Sequence, residues 1–342
     1  MKFRIMGLAL SLCLVLSSCG GQDGGGQASL LAQAAGWDDT QTLLVIGGRE
    51  VPGWRYLYWL AGTCDQVQEE YTLSGAELDW QAAVGTGTLA DEVKDQALRD
   101  TALYTQVELW AEQYGYTLTQ EDQASLEQEW QEQTAGGEEM ALRQLESQGL
   151  TRERAEELAS VGLLYAGLYR MCQTEGSPLS PTQEELQAFA VQQGIVTVDR
   201  IFYPAGEDAD AARAQAEKAF SALNGAADQA EVFTALASAA GDPAGPRTIT
   251  VGDGMLDPEL EEAAAALEEG QCSGILETEA GFSILRRLSD DSQELAGAWF
   301  DVQLQNAAAD VSVETGERYD QLDPAEFYTA LERLREQPEQ TE

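Results

Sequence analysis

The spacing of apolar residues changes part-way along the chain, and this change constrains the fold class most strongly. Before residue 180, apolar residues recur at helical spacing, as in Val93, Ala97, Tyr104, Val107 and Trp110. Beyond a Pro-containing hinge, "GIVTVDRIFYP" is β-branched and bounded by Gly and Pro, which predicts a strand. The order from there is strand, helices, strand, strand. The sequence therefore predicts a helical lobe followed by a compact α+β unit with a small antiparallel sheet.

Helix starts are marked by capping residues. Thr119 is followed by Asp122 three residues later, which is the pattern of a capping box. In "EGSPLSPTQEELQAF", Ser180 is the predicted N-cap, Pro181 lies in the first helical turn and Gln183 completes a second capping box.

The segment after Gln293 returns to a helical pattern. "LAGAWFDVQLQNAAADV" places Leu295, Trp299 and Val302 at helical spacing. The first helical lobe has apolar faces that need cover, so we expect this segment to pack back on that lobe. The α+β unit is then an insert in a mostly helical protein.

Charge and motifs exclude several function classes. Lys and Arg number 19 against 60 Asp and Glu, so the formal net charge of −41 repels phosphate backbones and argues against nucleic acid as a partner. The chain has no histidine, no D-x-[DN]-x-[DN]-G calcium loop and no metal-ligand spacing of its cysteines. It also lacks the G-x-x-x-x-G-K and G-x-S-x-G motifs. We therefore expect no cofactor and no metal.

The N-terminus has the order of a secretory signal peptide. "MKFRIMGLALSLCLVLSSCGG" begins with basic residues, continues with an apolar run too short to span a bilayer comfortably, and ends in Leu-Ser-Ser-Cys. That ending resembles a bacterial lipobox, which implies lipid modification of Cys19. The Gly-rich tether that follows would hold a domain away from the membrane. The alternative is an ordinary signal peptide cut nearby, with Cys19 a spare thiol.

Three cysteines remain in the mature chain once Cys13 is removed and Cys19 is lipidated, namely Cys64, Cys172 and Cys272. An odd number allows at most one disulfide within a monomer. Three buried thiols are equally compatible with the sequence, and both alternatives stay open.

The segment from about Val196 to Leu288 resembles the parvulin-type (rotamase, PpiC-like) peptidyl-prolyl isomerases. "GQCSGILETEAGFSIL" is similar to the closing block of that family, with Gly281-aromatic-x-Ile, and "MLDPELEEAAAAL" is similar to its Met...Pro...Phe-Glu-x-Ala helix. The helical run from Val45 to about Cys172 is similar to the N-terminal lobe of SurA-like and PrsA-like extracytoplasmic foldases.

The N-terminal pattern and the resemblance together imply five segments. They are a signal peptide (1–18), a lipidated Gly-rich tether (19–40), a SurA/PrsA-like helical lobe (41–192), a parvulin-like domain (193–290), and C-terminal helices with a polar tail (291–342).

The family pocket combines an apolar floor for the proline ring with polar residues around the imide bond. Carried over by position, Met255 and Leu260 would form the floor, and Asp242 and Thr278 would be polar residues of the site. Taken without the family, Met255 and Leu260 are ordinary core positions and Asp242 before Pro243 is a common turn start.

Two histidines of the family site are replaced in this chain. Arg200 in "VDRIF" occupies the first position and Ser283 in "GFSIL" the second. The resemblance assigns both to the catalytic site, where Ser283 could replace part of one hydrogen bond and Arg200 could pair with Asp242. Alternatively, Ser283 faces solvent on an edge strand and Arg200 lies on the outer face of its strand. Restoring both histidines is expected to raise the isomerisation rate.

The resemblance implies a membrane-anchored foldase on the extracytoplasmic face of the cell membrane, which assists the folding of exported proteins. Its partners would be unfolded or prolyl-containing exported polypeptides and, through the N-terminal lipid, the membrane. Such foldases also admit a homodimer. Isomerase activity is expected to be weak or lost, because the site lacks histidine. The alternative is a non-catalytic holdase-type chaperone or a peptide-binding lipoprotein.

Overall fold

The computed structural model describes residues 28–240 and 245–336. The predicted lipidation site Cys19 and the predicted site residue Asp242 lie outside the described residues. The chain divides into two compact units. One unit comprises the chain up to Leu179 and again from Asp301, and the other is Ser180–Phe300.

Thirteen α-helices and nine strands are found in the described part of the chain. The helices are α1 Leu30–Ala35, α2 Gly53–Ser74, α3 Leu89–Tyr114, α4 Gln120–Gln133, α5 Glu138–Ser147, α6 Arg152–Cys172, α7 Gln183–Gln193, α8 Ala209–Gly225, α9 Gln229–Ala240, α10 Pro258–Ala266, α11 Ser292–Asp310, α12 Glu317–Gln321 and α13 Pro324–Glu336. The strands are β1 Thr42–Ile46, β2 Arg49–Pro52, β3 Ala83–Val84, β4 Gly87–Thr88, β5 Ile195–Pro204, β6 Arg247–Thr250, β7 Leu276–Thr278, β8 Gly281–Arg287 and β9 Val313–Thr315.

The first unit is mostly helical and contains the end of the described chain. Strand β9 pairs antiparallel with β1 in a sheet of order β2-β1-β9, and α13 packs against α1, α2 and α3. Asp65 of α2 accepts hydrogen bonds from the hydroxyl of Tyr328 (2.9 Å) and from the guanidinium of Arg335 (2.7 Å), both on α13. The segment from Asp301 onward therefore completes the helical unit, and the second unit is an insert. The prediction is wrong for Leu295 and Trp299, which belong to the second unit.

The capping prediction was correct for one helix and wrong for another. Thr119 and Asp122 form the reciprocal capping box that starts α4. The N-cap of α7 is Thr182, however, and its partner is Glu185 rather than the predicted Ser180 and Gln183. The Glu185 carboxylate accepts hydrogen bonds from the backbone N–H and the hydroxyl of Thr182, both at 2.7 Å. A carboxylate accepts more strongly than a glutamine amide, so the helix starts two residues later.

The second unit is built on a four-stranded antiparallel sheet of order β6-β5-β8-β7. The predicted order of strand, helices, strand, strand does not include strand β6, which lies between α9 and α10. It has only four residues and directly follows Gly245 and Pro246, so neither its length nor its surroundings indicate a strand. It is a strand because it pairs with β5, and its own sequence does not indicate one.

The two faces of this sheet pack against different helices. Ile201 of β5 and Ile284 of β8 lie against α8 and α9, in a cluster that includes the fully buried Phe233. On the opposite face, Val198 of β5 and Leu285 of β8 pack with residues of α10. Because side chains alternate along a strand, Arg200 and Phe202 lie on the α10 face with Val198.

The three cysteines expected in the mature chain are free thiols, so the disulfide alternative is wrong. Burial raises the pKa of Cys172 to about 12, and it also raises the pKa of Cys64, which disfavours the thiolate form of both.

None of the helices in the described ranges is long and apolar enough to cross a membrane. Within the same ranges, no group of three or more Cys, Asp or Glu side chains could hold a metal ion.

Candidate functional site

An open cleft of about 650 Å³ lies on the α10 face of the second unit. Arg200, Met255 and Leu260 line it, so the structure brings together three of the residues that the sequence assigned to the site. Arg247, Leu256 and Glu261 also line it, and the sequence analysis assigned no role to them.

The two residues predicted to form the apolar floor differ in their exposure. Met255 is 62% exposed, so a ligand can cover its side chain. Leu260 is 1% exposed and packs with Val198 and Leu285 in the core. Leu260 therefore supports the cleft from beneath, mostly as a core residue, and Met255 offers most of the contact surface.

The loop that carries Met255 is held from below by a buried carboxylate. Glu261 of α10 is 5% exposed and accepts hydrogen bonds from the backbone N–H groups of Gly252 (2.7 Å), Gly254 (3.1 Å) and Leu256 (3.3 Å). Three backbone donors satisfy a buried carboxylate and fix the loop. The sequence did not reveal this role, because Glu261 lies in an acidic stretch in which its neighbours Glu259 and Glu262 are exposed.

Two arginines border the cleft. The Cζ atom of Arg200 lies 4.5 Å from the ring centroid of Phe202, a cation–π contact that orients the guanidinium. Arg247 comes from the neighbouring strand β6. Both side chains are half-buried.

Ser283 lies on the same face of the sheet but is fully buried. It pairs with Phe202 on one side and with Leu276 on the other, so β8 is a central strand. The expectation that Ser283 faces solvent on an edge strand is therefore wrong. Its hydroxyl has no hydrogen-bond partner among the described residues. Enclosed in this way, the hydroxyl is not exposed to a ligand in the cleft.

Thr278 lies at the end of β7, at the turn that leads into β8. Its hydroxyl donates to the carbonyl oxygen of Gly281 at 3.4 Å, within the same hairpin. The contact assigns Thr278 to the turn, and the structure does not place it among the residues that line the cleft.

A sequence model described as "PPIC-type PPIASE domain" matches residues 182–290. Those residues form a parvulin-type domain. The match confirms the resemblance to the parvulin-type peptidyl-prolyl isomerases that the sequence motifs indicated. The parvulin-type domain and the second unit both include α7, whereas the sequence analysis placed residues up to 192 in the helical lobe.

The chain is also similar to solved structures at low identity. It covers 92% of PrsA from Bacillus subtilis with 75% of its own length, at 13% identity and a TM-score of 0.21. It covers 100% of the peptidylprolyl isomerase PrsA from Bacillus cereus with 87% of its own length, at 12% identity and a TM-score of 0.29. It covers 99% of one of the SurA-like chaperones PEB4 and Cj1289 of Campylobacter jejuni with 81% of its own length, at 11% identity and a TM-score of 0.23. No curated protein matches the chain.

Proposed function

We propose that this protein is a lipid-anchored extracytoplasmic foldase whose parvulin-type domain binds prolyl segments of exported polypeptides. Its isomerase activity is weak or lost. The family of the inserted domain supports the substrate class. The signal-like N-terminus and the Leu-Ser-Ser-Cys sequence before the Gly-rich segment support export and anchoring.

The geometry of the cleft is the observation that carries this proposal. A proline ring needs an apolar surface, and Met255 offers one at a fixed position because Glu261 holds its loop. The peptide bonds on either side of the proline need hydrogen-bond donors for their carbonyl oxygens, which the guanidinium groups beside Met255 can supply. The cleft is therefore suited to binding a prolyl segment.

Catalysis makes a further demand. Rotation about a peptide bond has a barrier of roughly 18–20 kcal/mol, and an isomerase lowers it by favouring the twisted state over the planar one. The chain has arginine and serine at the positions where its family has histidines. Arg200 stacks on Phe202, and Ser283 is enclosed in the sheet. Neither position supports the twisted imide as a histidine pair would, so binding should outlast catalysis.

Titration of the full chain with a short peptide that contains Ala-Ala-Pro-Phe tests the binding site. We expect weak, saturable binding that Met255→Ala weakens about fivefold, because covering most of a methionine side chain contributes about 1 kcal/mol. The substitution should leave stability unchanged, since Met255 is mostly exposed. Chemical-shift changes in NMR spectra of the labelled protein provide the measurement.

Leu73→Ala is the matched control for that experiment. Leu73 is 81% exposed and belongs to the first unit, so its truncation also removes an exposed apolar side chain. Equal weakening by the two substitutions would show that the peptide binds exposed apolar surface in general. An absence of binding to the natural chain would contradict the proposed function itself.

The enclosed Ser283 also favours the second candidate, a non-catalytic holdase-type chaperone. A holdase suppresses the aggregation of an unfolded client without changing the isomerisation rate of a prolyl peptide. Measuring both activities on one preparation therefore separates the two candidates.

The membrane anchor gives a separate prediction. Cys19→Ala should either leave the precursor uncleaved or release the protein into the soluble fraction, because only a cysteine at this position can accept the diacylglyceryl group. Detergent phase partitioning of cell extracts measures the change, and Cys13→Ala, within the predicted signal peptide, is the control. Unchanged partitioning of Cys19→Ala would refute lipid anchoring.

A further inference from the structure

Two of the few cations in this chain lie at one cleft. The whole sequence has 19 Lys and Arg against 60 Asp and Glu, yet Arg200 and Arg247 both line the cleft of the parvulin-type domain. Arg247 pairs with Val198, and Arg200 follows Val198 by two residues on the same strand face. The two arginines are therefore diagonal neighbours, within reach of one ligand group.

Two carboxylates line the same cleft as these arginines, and neither prevents the binding of an anionic ligand. The buried carboxylate of Glu261 is already bound to three backbone N–H groups, and that of Asp257, which also lines the cleft, is exposed and screened by solvent. The guanidinium groups are half-buried, where interactions between charges are screened less than in open solvent. A guanidinium carries five N–H donors, so it can bind a ligand carboxylate while it keeps contacts within the protein.

We propose that the cleft selects prolyl segments with an Asp or Glu next to the proline, and that Arg247 determines this selectivity. The inference rests on the proposed function, because it assumes that the proline ring covers Met255. Arg247 is the better position to test than Arg200. Arg200 stands at a histidine position of the family site, so its substitution would change catalysis as well as charge.

The net charge of the protein complicates a simple affinity measurement. A chain of net charge −41 repels every acidic peptide at long range, and this repulsion opposes the local attraction in the cleft. The informative quantity is therefore a double difference. It is the preference for an acidic over a neutral peptide in the natural chain, compared with the same preference in a variant that lacks one arginine charge. The long-range repulsion is nearly equal in the two proteins, so it nearly cancels.

The test uses two peptides, Ala-Glu-Pro-Glu-Phe and Ala-Gln-Pro-Gln-Phe, capped at both ends and titrated into the full chain. Each peptide has the same residue on both sides of the proline, so a Glu of the acidic peptide can reach Arg247 whichever way the peptide chain runs through the cleft. We expect Arg247→Gln to reduce the ratio of the neutral-peptide Kd to the acidic-peptide Kd by about three- to tenfold, as for a partly buried ion pair. Arg247→Lys should preserve most of the ratio.

Arg213→Gln is the charge-matched control. Arg213 is a half-exposed arginine of α8, paired with Glu277 and stacked on Phe282, on the opposite face of the same domain. Its neutralisation should leave the ratio unchanged. Arg247 is also one of the guanidinium groups that donate to peptide carbonyl oxygens, so Arg247→Gln should weaken the binding of both peptides alike, and this common loss cancels in the ratio. Unchanged hydrogen exchange of the β5 and β8 amides verifies that the variant is folded.

The outcomes distinguish this inference from the proposed function. If the neutral peptide binds and Arg247→Gln leaves the ratio unchanged, or Arg213→Gln lowers it equally, the selectivity is refuted and the proposed function stands. If neither peptide binds the natural chain, the proposed function and the selectivity are both overturned.

Discussion

Gly281→Ala is expected to destabilise the parvulin-type domain by roughly 3 kcal/mol or more, enough to unfold a marginally stable domain. Gly281 opens β8 with φ +148°, a conformation that residues with a Cβ rarely adopt. A Cβ built there would lie 2.3 Å from the carbonyl oxygen of Tyr203 and 2.8 Å from the Cα of Pro204. These are backbone atoms of the paired strand β5, so they cannot move aside as a flexible side chain could.

Hydrogen exchange of the backbone amides of β5 and β8 is the appropriate measurement. Six of the seven tryptophans lie in the first unit, so tryptophan fluorescence would report mainly on that unit. Gly274→Ala is the control, because Gly274 lies in the same domain and its Cβ would meet no atom within 4 Å. Equal protection in both variants would contradict the steric argument.

This glycine shows what a resemblance can and cannot supply. The motif Gly281-aromatic-x-Ile was visible in the sequence and identified the family. Its physical cause was not, because the close approach of Gly281 to the backbone of β5 depends on a pairing between residues about 80 positions apart. The motif therefore shows that a glycine belongs at position 281, and only the structure shows that the backbone of β5 leaves no room for a Cβ there.

The helices and the long strand were predictable because their signals are local. Thr119 with Asp122, and the β-branched stretch of β5, lie within a few residues of the structure they specify. Strand β6 and the role of Glu261 depend on distant partners. Arg247 pairs across the sheet, and Glu261 binds N–H groups five to nine residues before it. The local patterns therefore predicted no strand at Arg247 and no role for Glu261.

The candidate site shows the same division. Arg200, Met255 and Leu260 were found because the family motifs align them, and the structure places all three at one cleft. The exposure of each residue could not be read from its position. Periodicity does not distinguish a core leucine from a ligand-binding one, and it did not show that Ser283 lies on a central strand.

The natural protein should isomerise a prolyl peptide on the order of 10²–10³ times more slowly than a histidine-bearing parvulin, since losing one well-placed polar contact to a transition state has an effect of that size. A protease-coupled assay on Ala-Ala-Pro-Phe peptides measures the rate. A rate equal to that of a histidine-bearing parvulin would overturn the account of the site.

The burial of Ser283 changes what restoring the histidines should do. Ser283→His inserts an imidazole ring into a fully enclosed position between Phe202 and Leu276, where overpacking costs about 1–3 kcal/mol. Arg200→His acts at a half-buried position on the cleft, so it should be tolerated. We therefore expect Arg200→His to raise the isomerisation rate, and the double variant to lose stability before it gains activity. A faster rate in the double variant at undiminished stability would show that the enclosed position can hold a histidine.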